Sequence, residues 1–421
     1  MAQQERFVVS LVDEDLGRVL SFPDLLYLEA TWNENAAGAL SMRLPVKYCD
    51  RLIELGILDN SKGCMPSFWL LVYRVAGGTC ELWEKQAWLI DKALNVQRSD
   101  GTCYIQIEAD CATGLLSYRS IFAPRDDDDS DPPVNTNIYT NHSGTASVVM
   151  CDIFEQQFGD AQGLDNAKAP AVRDWITAGC VAKGEVKDET GAVVDPAVGC
   201  GADCSPQLDY RGTLLEIFNE CADASAAEDQ PLFFEMVPTC TPGQYGDVVS
   251  LPIVLNICCG HRGEDRSVGN AQGNKAILLS DRGGSLAAFT LGPDYGGDYS
   301  VAMTAGVDDD GNSLTSILCD NDRTACTKWG WKEAIQVDQD AQEQAIVNSA
   351  NAAFLEQGNK SGEVVAEFAN TRGVCINRDF GAGDCVTIEQ KCVRTDVRIT
   401  SVNVKCENGE TKYRLKFSAV E

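Results

Sequence analysis

Asn408-Gly409 separates two runs of alternating side chains, residues 397–406 and 411–420, and that pattern folds in essentially one way. An Asn-Gly pair accepts positive φ at both central positions of a type I′ turn, whose twist matches the strands it joins. In the second run Tyr413, Leu415 and Phe417 share one face, while Lys412, Arg414 and Lys416 share the other. The segment therefore reads as an antiparallel hairpin with one buried face. The three cations have two readings: a solvated guard against edge-to-edge pairing, or a docking face for an acidic neighbour such as another copy of the chain.

The same pattern fills the N-terminal part. Phe7, Val9 and Leu11 alternate with Val8, Ser10 and Val12, and extended runs follow at 25–32 and 39–44. An aromatic and β-branched run at 68–75 turns at Gly77-Gly78 into residues 80–90. Asp100-Gly101 turns into residues 102–108. About six such strands suggest a barrel or a sandwich. Cys103 shares a face with Ile105 and Ile107, so it reads as a small core hydrophobe.

Helical character begins near residues 111–121, returns at 147–158, and returns again at 211–227 with Leu214, Leu215 and Phe218 inward. Strands resume at 232–237, 248–257, 276–279, 287–291 and 299–305. Asp338 is placed to cap a helix that ends at Gly358, with Ile346, Ala350, Ala353 and Phe354 on one face. The fold class read from this order is mainly β with α+β insertions. Four regions are expected: 1–120, 121–235, 236–335 and 336–421.

Charge is distributed unevenly. The chain carries 34 basic and 63 acidic residues, net −29. Residues 121–230 hold 6 basic and 21 acidic, whereas 370–421 hold 9 basic and 7 acidic. A strongly acidic body does not hold nucleic acid by counterion release. The runs at 126–131 and 308–310 read as solvated acidic loops; the spacing of the first matches no EF-hand. No stretch approaches the length of a membrane span, and the N-terminus lacks the basic-then-apolar order of a signal peptide. Folding in the cytoplasm is expected.

The residues that carry chemistry are sparse. There are 19 cysteines but only two histidines, His142 and His261. Cys200 and Cys204 have ligand-like spacing without a matching second pair, which a closed zinc site needs. Cys259 and His261 lie two apart, but a catalytic thiol needs a positioned base and a lowered pKa. No nucleophile elbow, P-loop or H-E-x-x-H occurs. No catalytic, cofactor-binding or metal-ligating residue is nominated. In RDFGAGDCVTI at 378–388, Gly381 and Gly383 permit a tight turn, and Asp384 can bond nearby backbone N–H groups. Val386 and Ile388 then point inward, leaving Cys385 and Thr387 on the opposite face. Cys385 reads as a passenger or a disulfide partner.

The order of several motifs carries more than any one of them: Trp32-Asn33-Glu34, GALSMRLP at 38–45, LLVYR at 70–74, WLI at 88–90 and EADCATGLLSYR at 108–119. Then come LLSDRGGSL at 278–286, Trp329-Gly330-Trp331, the helix after Asp338, and RDFGAGDCVTI. This succession resembles tail-hub proteins of long-tailed siphophages, also called baseplate hub or tail-associated structural proteins. The resemblance is weakest over 125–205. It implies a trimer that closes the end of a hexameric tail tube, each subunit supplying two tail-tube-like β-barrels. It implies tail-tube or distal-tail, tape-measure and tip or fibre proteins as partners, and DNA passing through without stable binding. Arg378, Gly383 and Asp384 would form the turn that starts a barrel strand, and the acidic region would pack between or beside the barrels. Part of the negative charge would line a channel. A tail-tip cell-wall hydrolase or a receptor- or glycan-binding tail protein are the competing readings.

Overall fold

A computed structural model describes residues 5–59, 68–118, 143–158, 180–188, 191–204, 212–243, 246–290, 300–307, 313–319, 332–337, 364–371, 373–390 and 393–420, with 344, 347, 348 and 351. The acidic run at 126–131, His142, the run at 308–310, Trp329, Trp331, Asp338 and Gly358 lie outside them.

The protein is mainly β. Seven N-terminal strands come first: β1 (Arg6–Val12), β2 (Arg18–Phe22), β3 (Tyr27–Asn33), β4 (Ala36–Leu44), β5 (Trp69–Ala76), β6 (Thr79–Gln97) and β7 (Cys103–Cys111). A short helix α1 (Cys49–Glu54) and a 3-10 turn (Ala112–Tyr118) accompany them. The middle of the chain supplies β8 (Gly144–Thr145), α2 (Ala146–Phe158), β9 (Val181–Lys187), β10 (Asp203–Cys204), α3 (Leu214–Ala227), β11 (Leu232–Thr241) and β12 (Val248–Cys259). The remainder is β13 (Leu278–Ser280), β14 (Leu286–Thr290), β15 (Val301–Val307), β16 (Ser313–Cys319), β17 (Glu333–Val337), β18 (Val364–Phe368), β19 (Cys385–Gln390), β20 (Val393–Glu407) and β21 (Glu410–Ala419).

One sheet runs β14-β18-β21-β20-β3-β4-β7-β6-β5-β1-β2, with β19 on β20 and β13 on β19. The Asn408-Gly409 turn is as read: φ is 54° and 82°, both in the left-handed region that type I′ demands. Tyr413 and Leu415 are buried, and Lys412 and Arg414 point outward. Pairing of β20 with β3 in register from Ser401↔Asn33 to Glu407↔Tyr27 joins C-terminal and N-terminal strands edge to edge.

Two local expectations fail. Cys103 is exposed although Ile105 and Ile107 are fully buried, because it is the first residue of β7 and its thiol hangs over the Gly101 turn. Residues 80–90 are not one even strand. Tyr73 faces Leu82 and Leu71 faces Ala87, so residues 83–86 leave the β5 ladder opposite Val72 alone. Glu84 and Lys85 take left-handed φ values of 48° and 54° in this excursion.

Contacts divide the chain into two compact units: 1–288, 367–415 and 420, and 289–366, 416–419 and 421. In the first, α2, α3, the sheet β11-β12-β9 and the inner sides of β1, β5 and β6 share one core. Helix α3 starts where its sequence dictates. The Thr213 hydroxyl accepts from Glu216 N at 3.3 Å, and Glu216 Oε2 accepts from Thr213 N at 2.6 Å, a capping box. Its Leu214, Ile217, Phe218 and Cys221 are buried, and Phe218 meets Phe234 of β11 edge-to-face at 5.3 Å. Full burial of such a side chain contributes roughly 2 kcal/mol. The second unit contains the sheet β16-β15-β17. Residues 344, 347, 348 and 351 are helical, as expected of the segment after Asp338. Thr304 Oγ1 donates to Asn351 Oδ1 at 3.0 Å, and both residues are buried.

Candidate functional site

Two regions of the first unit gather charged side chains. The first is the outer face of β20-β3-β4-β7-β6, where register aligns the residues in rows. One row reads Lys405, Glu29, Ser41, Glu108 and Lys92; the next reads Asn403, Thr31, Ala39 and Asp110. The other face of these strands is apolar, with Leu28, Ala30, Trp32, Leu40, Met42, Ile105 and Ile107 buried. Period-two alternation thus puts Glu29, Thr31, Ser41, Glu108, Asp110, Asn403 and Lys405 on one side.

Glu29, Asp91, Glu108 and Asp110 line a shallow groove on this face, with the short side chains of Thr31, Ala39 and Ser41 between them. The carboxylates are held rather than loose. Asn403 Nδ2 donates to Glu29 Oε1 at 3.1 Å, Gln106 Nε2 to Glu108 Oε1 at 2.6 Å, and Tyr118 OH to Asp110 Oδ2 at 3.2 Å. Burial pushes the Asp110 carboxyl above its ordinary value; the Tyr118 hydroxyl opposes this and the Asp91 charge adds to it. Lys92 Nζ donates to Glu108 Oε2 at 3.2 Å on one side of the groove, and Lys405 flanks it on the other, so Glu29, Asp91 and Asp110 are its carboxylates without a lysine or arginine partner among the described residues. Chemically this is an anion-repelling strip of fixed carboxylates with small side chains between them.

The second region is a buried ionic junction at Arg262, just past β12. Arg262 Nη1 donates to Glu84 Oε2 at 2.9 Å and Nη2 to Glu84 O at 3.2 Å. Glu235 of β11 lies 3.8 Å from Nε, and the guanidinium rests 4.7 Å from the centre of the Trp32 ring. The β6 excursion is what brings Glu84 here. Burial raises the Glu84 carboxyl, and the Arg262 charge pulls it back down.

The chain then crosses the turn that the sequence singled out. Asp384 is buried and accepts from Gly381 N (2.8 Å), Glu264 N (2.8 Å) and Arg266 Nε (3.1 Å). Its bond to Gly381 is the local cap expected; the other two come from a distant segment. Gly383 has φ of 85°, as a tight turn needs, but Gly381 has no left-handed φ, contrary to expectation. Arg378 does not join this turn: it is half-exposed and pairs with Asp379 at 2.6 Å. Burial opposes ionisation of Asp379, but bonds from Arg378, Lys275 and Cys375 N outweigh it and hold the carboxyl at about 2. Cys385 and Thr387 are buried at 3% and 1%, so the second face of β19 is covered. Residues 264–268 run along it: Cys385 N donates to Glu264 O at 3.0 Å at the strand's edge, and Val268 N donates to the Thr387 hydroxyl on that face at 2.8 Å. Burial pushes the Cys385 thiol up to about 11, a value unsuited to a nucleophile.

The other sequence candidates disperse. Cys259 is bonded to Cys200, 59 residues away, so it is not a free thiol beside His261. His261 Nδ1 lies 3.2 Å from Glu34 instead. Cys204 lies beside Cys221, with 3.6 Å between sulfurs. Among the described residues no group of three or more His, Cys, Asp or Glu is placed to hold a metal ion, and no helix is long and apolar enough to cross a membrane. Glu84, Glu235 and Arg262 escaped the sequence reading. Their one local signal is the charged Glu84-Lys85 pair interrupting an apolar strand.

No family model matches the sequence, and no curated protein matches it. Solved structures do. The tail protein from Neisseria meningitidis MC58 superposes with a TM-score of 0.52 at 10% identity, over 98% of this chain and 96% of that one. The 43 kDa tail protein of prophage MuSo2 from Shewanella oneidensis superposes with a TM-score of 0.51 at 10% identity, over 98% of both chains. The fold is therefore shared from end to end rather than through one domain.

Proposed function

We propose that this chain, which has the fold of tail proteins, is a structural subunit of a phage tail. Its position is the baseplate hub: a homotrimer closing the end of the tail tube and adapting six-fold symmetry to a three-fold tip. The observation that carries the reading is the coverage. Nearly all of this chain and nearly all of each tail protein form one common fold.

The outer face of β20-β3-β4-β7-β6 supports a role in the DNA conduit. Glu29, Asp91 and Asp110 present negative charge along a shallow groove, beside the Lys92–Glu108 pair. Phosphates approaching such a face release no counterions and gain no binding free energy, so a duplex slides past it. Three copies of a chain of net −29 add a net repulsion of DNA. Residues 1–120 supply one tube-like region; 236–335 and 336–421 supply the second, with 121–235 beside them. The partners are the tail tube or distal tail protein, the tape-measure protein and the tip proteins. The subunit assembles in the host cytoplasm and resides in the virion tail.

Native mass measurement of the full chain tests the stoichiometry: three copies are expected, and a monomer or a hexamer at all concentrations defeats the hub. Electron cryomicroscopy of the tail end tests the conduit. Glu29, Glu108 and Asp110 should face the central channel; if they face the outside, that role is lost.

A further inference from the structure

Residues 199–204 form a strap across α2 and α3. Ala146 N donates to Ala202 O at 2.9 Å and Ser147 N to Cys200 O at 3.1 Å, so the strap accepts from the free N–H groups at the start of α2. Cys200 N donates to Ser147 Oγ at 2.7 Å, and Ala202 N to Ser225 Oγ of α3 at 3.1 Å. The fit is close. A Cβ on Gly201 would lie 2.7 Å from Ser225 Oγ and 2.8 Å from Leu232, and one on Gly199 would lie 2.5 Å from Val148.

The strap has a cysteine at each end. Cys200 is bonded to Cys259 of β12. Cys204, paired in β10 with Gly144, points at Cys221 of α3 with 3.6 Å between sulfurs. Cys221 is fully buried and Cys204 half-buried. A disulfide needs about 2.05 Å between sulfurs, so closing this pair requires a sulfur movement of about 1.5 Å, within reach of small χ1 adjustments. The two residues are 17 apart in sequence.

We propose that Cys204 and Cys221 are a disulfide-forming pair, closed by exchange with a small-molecule disulfide such as oxidised glutathione. Closure fastens the strap at both ends and cross-links α3 to β12 through it, with α2 held beneath by its hydrogen bonds to the strap. The accessible Cys204 thiolate attacks one sulfur of the small disulfide; that S–S bond breaks and one glutathione leaves as thiolate. Cys221 then loses its proton, and its sulfur displaces the second glutathione from Cys204. Two protein thiols lose two electrons and two protons; one glutathione disulfide gains the electrons and leaves as two thiols. Burial raises both thiols, so exchange is slow at neutral pH and accelerates as pH rises. A chain folded under reducing conditions would acquire this bond on later exposure to an oxidant. This inference is independent of the tail reading.

The test uses the full chain, purified with a reductant, then incubated with oxidised glutathione at about pH 8, close to the free-thiol range. The protein is alkylated in denaturant, digested and mapped by mass. The expected result is a crosslinked peptide pair joining Cys204 to Cys221, together with the Cys200–Cys259 pair. Cys221→Ser should trap glutathione on Cys204, because the resolving thiol is gone. The proposal is overturned if Cys204 and Cys221 are both alkylated while Cys200–Cys259 forms. It is also overturned if Cys204 is found bonded to another cysteine. The wild-type map needs no variant, so a substitution that fails to fold does not blunt the result.

Discussion

Gly263→Ala probes the crossing of the 262–268 segment over the 381–385 turn. A Cβ on Gly263 would lie 2.2 Å from Asp384 N, 2.2 Å from the Gly383 carbonyl carbon and 2.4 Å from Gly383 O. Comfortable carbon contacts are about 3.5–4.0 Å, so the overlap exceeds about 1 Å. All three atoms are backbone, and the turn cannot retreat: Gly383 N and Ile399 N fix it to β20 at 2.9 and 3.0 Å. Relief requires the segments to part, which breaks the bonds Glu264 N to Asp384, Cys385 N to Glu264 O and Arg266 N to Cys385 O. At about 1 kcal/mol each, the substitution costs about 3 kcal/mol. Two controls grade the effect. Gly409→Ala meets nothing within 4 Å but has φ of 82°, a conformational cost of about 1–2 kcal/mol. Gly381→Ala meets nothing within 4 Å and has no left-handed φ, so it should fall within about 0.5 kcal/mol of wild type. Urea unfolding followed by tryptophan fluorescence should order the midpoints 263 lowest, 409 next, 381 unchanged. A Gly263→Ala protein that unfolds with Gly381→Ala would refute the close crossing.

Arg262→Met should cost about 3–5 kcal/mol at pH 7, because it leaves Glu84 and Glu235 buried without their counter-charge. Glu84 is raised in the folded protein, so the folded state takes up its proton first as pH falls; the deficit should shrink between neutral pH and about pH 5. A deficit independent of pH in urea titrations would contradict this. Thr213→Ala removes the α3 cap and should cost about 1 kcal/mol, read from the urea midpoint, with Thr213→Ser close to wild type. Cys385→Ser should leave the melting temperature within a few degrees, since the hydroxyl can keep the Asp265 contact; native wild-type protein should show no reaction of Cys385 with thiol reagents near neutral pH.

The features legible in the sequence are those set by neighbours a few residues apart. Asn408-Gly409 fixed its own turn because both φ values are local properties of those residues. Alternation put Tyr413 and Leu415 inward, and the spacing of Leu214 and Phe218 marked the buried face of α3. The order of motifs pointed to the tail-protein fold. Periodicity specifies which face of a strand is buried, but not what covers it.

The rest depended on which distant segments meet. Asp384 was legible as a cap for Gly381, yet its contacts to Glu264 and Arg266 come from about 120 residues away. Cys200 and Cys204 looked like half a metal site by spacing; the fold sent one to Cys259 and the other to Cys221. Glu84 sat in what read as an even strand until the excursion at 83–86 carried it to Arg262. A strand pattern encodes a period, not a partner: pairing of β20 with β3, like the approach of Gly263 to Gly383, is chosen by the burial and hydrogen bonding of the whole chain at once. The sequence by itself determined the strands with clean alternation, their buried faces and the Asn408-Gly409 turn. Tertiary structure alone decided the charged junction, the cysteine partners and the strand order that lines the carboxylates up in rows.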